Sequence, residues 1–171
     1  WSAFNDAEGW TIGTDQSDRQ VFPDGGWVQG ILGGEQGYIF LERSIIRMSA
    51  TGDDYVFQFD VVERGRGLVA PNSLVQIGQM AFYLAHDGFY QFQGGQSQPI
   101  GANKVDKSFF EDVNEGFLYR ISGVADPINK VVMWSYPSSD SSEGDPDKVI
   151  MYNWTTGQWS QGELQAELLF P

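Results

Sequence analysis

The feature that most constrains the fold of this chain is a threefold repeat of four short apolar runs. Within each run apolar and polar residues alternate, and turn residues separate one run from the next. The first runs begin near Val28, Leu74 and Tyr119, a period of roughly 45 residues that is typical of a four-stranded propeller blade. The pattern predicts an all-β protein, a propeller-like array of four-stranded antiparallel blades.

Twelve strands are predicted in these three sets, and the last hairpin of each set has glycine in its turn. Gly52, Gly94 with Gly95, and Gly157 supply the positive φ that such turns need. The predicted strands are 27–33, 38–42, 45–49 and 55–62 in the first set, 73–78, 80–85, 89–92 and 96–101 in the second, and 118–124, 130–136, 148–154 and 158–164 in the third.

The whole chain, 1–171, is expected to be a single propeller-like domain or a fragment of a larger propeller. The opening WSAFNDAEGWTIG fits the template of a last hairpin, with Gly9 in its turn, and 165–171 fits the start of a first strand. We therefore expect about three full blades and two partial ones, completed within a larger protein or by association. The repeats are approximately 1–26 (partial), 27–66, 73–116, 118–164 and 165–171 (partial).

Two segments interrupt the repeat. In residues 103–115, Val105, Phe109 and Val113 stand four apart, which predicts a short amphipathic helix between blades, capped by Asn103. Residues 137–147 are small, acidic and contain proline, and this composition predicts a mobile loop between the second and third strands of the last set.

Charge and composition exclude several classes of function. The chain has 23 acidic and 10 basic residues, a formal net charge of −13, and no basic cluster. Because phosphate backbones and anionic membranes are bound by clustered Lys and Arg, we expect neither nucleic-acid nor membrane binding. The absence of Cys excludes disulfides, thiolate zinc sites and Cys nucleophiles. No window approaches the apolar length of a membrane helix.

Few residues suggest catalysis or metal binding. The single histidine, His86, precedes Asp87 and a glycine, which favours a hairpin turn over a catalytic dyad. The oxygen-rich loop makes Asp140, Asp145 and Asp147 candidates for Ca²⁺, although their spacing does not match a calcium loop and a solvated charge run is the simpler interpretation. We expect no cofactor.

Carboxylates are numerous, but their spacing selects no catalytic pair. A glycoside hydrolase needs two of them across a cleft, and Asp60, Glu63, Asp87, Glu111 and Asp112 could be arranged in many ways. The glycines around Arg64 and Arg66 lack the following helix and Lys-Ser/Thr of a phosphate loop, so this segment is interpreted as a connector between blades. No enzymatic activity is predicted.

Trp154 and Trp159 flank a Thr-Thr-Gly turn, and they could be ligand platforms or supports inside a hairpin. The recurrence of this hairpin in every set favours the second role, while their spacing leaves open which of the two is buried. Together with Phe109 and Phe110 of the predicted helix, they are candidates for contacts with a partner protein.

Residues 67–113, from GLVAPNSLVQIG through HDGFYQF and QPIGANKVDKSFFEDV, carry a family resemblance. This stretch resembles the propeller-containing structural proteins of tailed bacteriophages, in particular the packaged-DNA stabilisation and tail-nozzle proteins of short-tailed phages. The similarity continues more weakly through VVMWSYP and VIMYNWTTGQWS, so that it covers about two thirds of the chain. These are fold motifs, and the family has no catalytic residues to transfer.

The resemblance implies a virion structural protein in the tail or neck of a phage or prophage, made in the bacterial cytoplasm. Such a protein would belong to the head-to-tail connector or tail channel and retain packaged DNA. Its partners would be other virion proteins in a homo-oligomeric ring. An acidic wall suits this role because it repels DNA and lets it slide.

A carbohydrate-binding or glycoside-hydrolase-type propeller is the alternative from another class. It requires Trp1, Trp10, Trp154 and Trp159 to be exposed as stacking platforms beside carboxylates. Exposure of these indoles therefore distinguishes the two hypotheses. An interaction propeller of eukaryotic type is disfavoured, because the repeats lack a recurring Trp-Asp or double-glycine signature.

Overall fold

The computed structural model describes residues 1–52, 56–166 and 168–169, and it contains three four-stranded antiparallel sheets. In each sheet, strands that are consecutive in sequence are neighbours, so every sheet is a simple meander. The strands are β1 (Val28–Leu32), β2 (Gly37–Leu41), β3 (Ser44–Ala50) and β4 (Phe57–Arg64) in sheet 1, β5 (Val75–Ile77), β6 (Met80–Ala85), β7 (Gly88–Gln93) and β8 (Gln96–Pro99) in sheet 2, and β9 (Ser122–Asp126), β10 (Val131–Tyr136), β11 (Lys148–Asn153) and β12 (Gln158–Glu163) in sheet 3. The prediction of three sets of four strands is confirmed.

The first strands of sheets 2 and 3 begin later than predicted. Pro71–Ser73 and Glu115–Arg120 form 3-10 helices immediately before β5 and β9. Pro71 favours helical geometry because its ring fixes φ, and the Asn114 side chain accepts a hydrogen bond from the Gly116 amide at the start of the second 3-10 helix. These local signals shorten the strands predicted at 73–78 and 118–124.

The predicted helix is present as α1 (Asp106–Asp112), between sheets 2 and 3. As expected from their spacing, Val105, Phe109 and Val113 are all buried. The predicted cap was wrong, because Asn103 lies in a turn with φ 58° and the residue before the helix, Val105, makes no side-chain cap. The Asp106 carboxylate instead accepts a hydrogen bond from the Phe89 amide, which ties the start of the helix to β7.

Residues 1–26 contain turns and one isolated bridge, between Ala3 and Asp6, but no strand. The hairpin predicted around Gly9 is therefore absent. The backbone groups of this segment pair locally instead, for example from the Ala3 amide to the Gly9 carbonyl at 2.7 Å. At the other end, residues 165, 166, 168 and 169 are also outside any strand, while 167, 170 and 171 lie outside the described residues.

Sheet 2 lies between the other two sheets, and both of its faces are buried. Strand alternation sends Ala81, Tyr83 and Ala85 towards sheet 1, where Phe40 contacts the ring of Tyr83 at 5.2 Å. The intervening residues Phe82 and Leu84 point towards sheet 3. This arrangement explains why β6 is almost uniformly apolar, as a strand buried on both faces must be.

The largest side chains in the core between sheets 2 and 3 are aromatic. Trp134 on β10 is completely buried and lies 4.8 Å from Phe89 on β7 and 6.1 Å from Trp159 on β12, measured between ring centroids. Its indole N–H donates to the Ser73 carbonyl at 2.8 Å, so the polar group of this large side chain is satisfied. Phe109 of α1 closes the same cluster.

The loop at 137–147 joins β10 to β11, where it was predicted, but it is folded back on the protein. Ser138 is fully buried, and its amide and hydroxyl both donate to the Asp147 carboxylate at 2.7 Å. Arg120 forms a salt bridge of 2.8 Å with Asp145. Asp145 and Asp147 of the loop therefore bind neighbouring donors, which the sequence pattern alone did not indicate.

Candidate interaction surface

The outer face of sheet 1, which is the face turned away from sheet 2, exposes a group of large apolar side chains. Val28, Ile31 and Val61 are 52%, 63% and 43% exposed, respectively, although all three lie on strands. Their neighbours on the same face, Ile39 and Leu41, are buried. An apolar sheet face with polar surroundings is a common feature of protein contact sites.

A β-bulge creates this surface. In a regular strand Val28 and Ile31 would point to opposite faces, because side chains alternate with a period of two. The register of β1 shifts between Val28 and Gly30, so that Val28 pairs with Leu41 and Ile31 pairs with Ile39. Both side chains consequently lie on the outer face, a result that no alternation pattern in the sequence could reveal.

The N-terminal segment covers part of this face. Trp1 contacts Phe57 and Phe59 of β4, with ring centroids 5.1 and 6.0 Å apart, and Phe22 contacts Phe59 at 5.6 Å. The side formed by β1 has no such cover in the described part of the chain. We call the exposed apolar side chains of this face, Val28 and Ile31 on the β1 edge and Val61 on the β4 edge, the outer apolar patch.

Charged groups connect sheets 1 and 2 beside their shared core. Arg66 forms salt bridges with Glu63 at 2.6 Å and with Asp87 at 2.9 Å, and its guanidinium lies 4.3 Å from the centre of the Tyr90 ring. Ser97 on β8 donates to Glu63. These contacts fix β4 and its connector against sheet 2, and they occupy Glu63 and Asp87, two of the five carboxylates considered above for a catalytic pair.

The pKa values in this network follow from burial and pairing. Hydrogen bonding to Asp87 raises the pKa of Arg66 despite partial burial. Burial opposes the charge of Asp87, but hydrogen bonds from Arg66 and Tyr90 lower its pKa. Burial and the hydrogen bond to Asp87 raise the pKa of Tyr90 to about 12. Burial also raises the pKa of Tyr83. The network is therefore ionised at Arg66 and Asp87 and neutral at both tyrosines at pH 7.

We expect tyrosine ionisation to be linked to alkaline unfolding. Burial is the first cause of a raised pKa at Tyr83, Tyr90, Tyr136 and Tyr152. A raised pKa means that the folded state favours the neutral phenol. The resulting stabilisation is complete below the unfolded tyrosine pKa of about 10 and is lost as the pH rises above it.

Ultraviolet absorbance of phenolate, recorded together with circular dichroism, measures this linkage. We expect these four of the seven tyrosines to ionise only as the circular dichroism signal is lost. The control is the same titration in denaturant. There all seven tyrosines are expected to ionise as equivalent groups in a single transition near pH 10. Identical titration curves for folded and denatured protein would contradict the structure.

A second hydrogen-bond network stabilises the interface between α1 and sheet 3. Lys148 donates to Asp112 at 2.7 Å, and the Tyr136 hydroxyl donates to the same carboxylate at 2.9 Å. Gln161 in turn donates to Tyr136. The bond to Asp112 raises the pKa of Lys148, so the lysine remains charged at neutral pH.

The predicted contact residues of the helix have different environments. Phe109 is 1% exposed, and its ring contacts Phe89 at 4.8 Å and Tyr136 at 5.0 Å. Phe110 is half-buried against the same cluster. Phe109 therefore belongs to the core, and Phe110 is the member of the pair with surface area left for a partner.

Trp154 and Trp159 are both half-buried against the core between sheets 2 and 3. Trp159 lies 4.8 Å from Tyr152, and its indole N–H donates to the Ile100 carbonyl at 3.1 Å. Trp154 lies 5.9 Å from Phe82. Both indoles thus support the packing of sheet 3 on sheet 2, which answers the question that their spacing left open.

The calcium candidates do not converge on one site. Asp145 pairs with Arg120 and Asp147 binds Ser138, while Asp140 is exposed. Within residues 1–52, 56–166 and 168–169, no group of three or more His, Cys, Asp or Glu side chains could hold a metal ion. His86 and Asp87 form the two-residue turn between β6 and β7, as predicted, because Ala85 pairs with Gly88.

Comparisons with protein-family models and with curated proteins found no match to this chain. None of the helices in the described part of the chain has the length and apolar character needed to span a membrane.

Proposed function

We propose that the chain is a non-enzymatic structural protein of a tailed-phage or prophage virion. In this proposal its three sheets are blades of a β-propeller, and it forms part of the head-to-tail connector or tail channel that retains packaged DNA. It acts through contacts with other virion proteins in a homo-oligomeric ring. It is made in the bacterial cytoplasm and resides in the tail or neck of the particle.

The observation that carries the proposal is the outer apolar patch. Sheet 2 shows how this chain buries its sheets, with a neighbouring sheet on each face. Sheet 1 has such a neighbour on one face only, and its other face exposes Val28, Ile31 and Val61. A partner that covers these side chains would remove them from water, as sheet 1 and sheet 3 do for sheet 2.

The motif that carries the family resemblance has a structural role in this fold. The segment from Gly67 to Leu74 crosses from sheet 1 to sheet 2, and Leu68, Ala70 and Ser73 in it are fully buried. The net charge of −13 also supports the proposal, because an acidic surface does not hold DNA in place.

The sugar-binding alternative is weakened by the positions of the four indoles it requires. Trp1, Trp154 and Trp159 are half-buried against other aromatic rings, and only Trp10 is largely exposed, at 65%. Sugar platforms need an open ring face. A glycan array that shows binding abolished by Trp10→Ala would revive this alternative.

The proposal is tested on particles of the phage or prophage that encodes the chain. We expect the protein in purified particles at a fixed copy number, located by immunogold labelling at the tail or neck. The double variant Val28→Ser/Ile31→Ser should lower its incorporation at least tenfold and reduce nuclease-protected DNA. The reason is that each buried Val or Ile contributes about 1.5–3 kcal/mol to a contact.

The matched control is Ile128→Ser, which removes an exposed apolar side chain from the turn between β9 and β10. This variant should be incorporated like the wild type. Absence of the protein from purified particles, with all of it free in the medium, would refute the virion assignment. Normal incorporation of the double variant would refute the role of the outer apolar patch.

A further inference from the structure

A groove of about 320 Å³ lies beside the outer apolar patch, at the start of β3 and the end of β4. Its apolar wall contains Phe22 and Pro23 from the N-terminal segment and Ile46 and Val61 from the sheet. Its polar wall contains Arg43, Ser44, Arg64 and Asp24, and Gly25 and Gly65 complete the lining. The groove reaches the size range of ligand sites and combines apolar contact with positive charge.

Both arginines are exposed, and neither is paired with a carboxylate in the described part of the chain. In the described part of the chain, six of the ten basic side chains contact a carboxylate or a carbonyl oxygen. The other four are Arg19, Arg43, Arg64 and Lys130, and two of these four line this one groove. Acidic residues outnumber basic ones 23 to 10 in the whole chain.

Strand pairing places the groups of the polar wall next to each other. Arg64 on β4 is directly opposite Ser44 on β3, and Arg43 precedes Ser44 in the chain. Residues paired in this way have Cβ atoms about 5 Å apart. The pairing of β3 with β4 and the turn before β3 therefore place both arginines at the same end of the sheet.

The Ser44 hydroxyl is a buried polar group in the same wall of the groove. Ser44 is 7% exposed, and its Oγ is one of two buried side-chain polar atoms without a hydrogen-bond partner in the described residues. A buried hydroxyl without a hydrogen-bond partner is unfavourable.

We propose that this groove binds the carboxylate of an acidic residue in a segment of a partner protein. In that segment, apolar residues flank the acidic residue. The guanidinium groups of Arg43 and Arg64 would bind the carboxylate, because their planar donor pairs match its two oxygens. The flanking apolar side chains would cover Phe22, Ile46 and Val61. The site would thus fix the position of a partner that covers the outer apolar patch.

A protein carboxylate fits the groove better than a phosphate does. Inorganic phosphate has no apolar part and would leave the wall formed by Phe22, Pro23, Ile46 and Val61 in water. Asp24, the single acidic residue in the lining, also repels a dianion more strongly than a monoanion. Two arginines and one aspartate leave one net positive charge, which one carboxylate neutralises.

The test is an NMR titration of the protein with two short peptides, acetyl-Leu-Glu-Leu-amide and acetyl-Leu-Gln-Leu-amide. We expect the Glu peptide to shift the backbone amides of residues that line the groove and to bind at least tenfold more tightly than the Gln peptide. Raising the salt concentration should weaken the binding of the Glu peptide but not that of the Gln peptide, because salt screens charge pairs at a surface.

Two double variants with the same change of charge distinguish binding of the Glu peptide in the groove from its attraction to positive charge elsewhere on the protein. Arg43→Gln/Arg64→Gln removes the proposed ligands of the carboxylate and should lower the affinity for the Glu peptide about tenfold or more. Arg19→Gln/Lys130→Gln removes the other two unpaired bases, both exposed, and should leave the affinity unchanged. Circular dichroism of both variants verifies that the sheets are retained.

Three outcomes would overturn the proposal. The first is equal binding of the Glu and Gln peptides or no binding of either, and the second is an equal loss of affinity in the two double variants. The third is binding of inorganic phosphate that depends on Arg43 and Arg64 without such dependence for the Glu peptide. The peptide test does not require a virion, so its result is independent of the proposed function.

Discussion

Replacement of Trp134 by alanine is expected to lower the free energy of unfolding by about 3–5 kcal/mol, a large part of the stability of a domain of this size. The indole is fully buried between Phe89 and Trp159, and its removal leaves a cavity that two rigid sheets cannot close. The Ser73 carbonyl also loses its indole hydrogen bond. This carbonyl lies in the 3-10 helix before β5, so the damage extends to both sheets.

Urea unfolding followed by tryptophan fluorescence and circular dichroism measures this loss. Trp10→Ala is the matched control, because it deletes the same side chain from a position that is 65% exposed. It should change the free energy of unfolding by less than about 0.5 kcal/mol. If the two variants lost similar amounts of stability, Trp134 would not occupy the core position described here.

Replacement of Gly67 by alanine is expected to destabilise the protein by about 3 kcal/mol or to prevent folding. Gly67 begins the connector between sheets 1 and 2, and its Cα packs against the backbone of the turn after β2. An added Cβ would come within 2.7 Å of the Arg43 nitrogen and closer still to the Leu41 carbonyl oxygen. The same carbonyl accepts a hydrogen bond from the Leu68 amide at 2.9 Å, so relief of the clash breaks this bond.

Gly33 is the matched control for this variant. An added Cβ at Gly33 has no atom within 4 Å, and its φ lies outside the left-handed region. Gly33→Ala should therefore be neutral or slightly stabilising, because alanine reduces the entropy of the unfolded chain. Thermal unfolding of both variants distinguishes a steric effect at Gly67 from a general effect of glycine replacement. Equal midpoints for the two variants would show that the connector tolerates a side chain.

The sequence predicted the regular part of this fold because each sheet is local. Within each sheet, consecutive strands along the chain pair with each other, so alternation and turn residues suffice to locate them. The helix was also predictable, since Val105, Phe109 and Val113 are spaced to face one side. Its start was not, because Asp106 is fixed by the Phe89 amide, a partner 17 residues away.

The candidate surfaces depend on features that have no pattern in the sequence. The bulge in β1 brings Val28 and Ile31 to one face, and a regular alternation would have separated them. Arg64 was interpreted as part of a connector, but it ends β4 opposite Ser44 and lines a groove with Arg43. A basic side chain without an acidic partner can be recognised only from the positions of the carboxylates in the folded structure.

The burial of sheet 2 on both faces has a consequence for how the molecule unfolds. Neither neighbouring sheet can detach without exposing an apolar face of sheet 2 to water, where Phe82 and Tyr83 stand on opposite sides of one strand. In a linear array of repeats, the interfaces between neighbours determine how strongly the repeats are coupled. Sheet 2 therefore transmits the loss of either neighbour to the other and makes the three repeats a single cooperative unit.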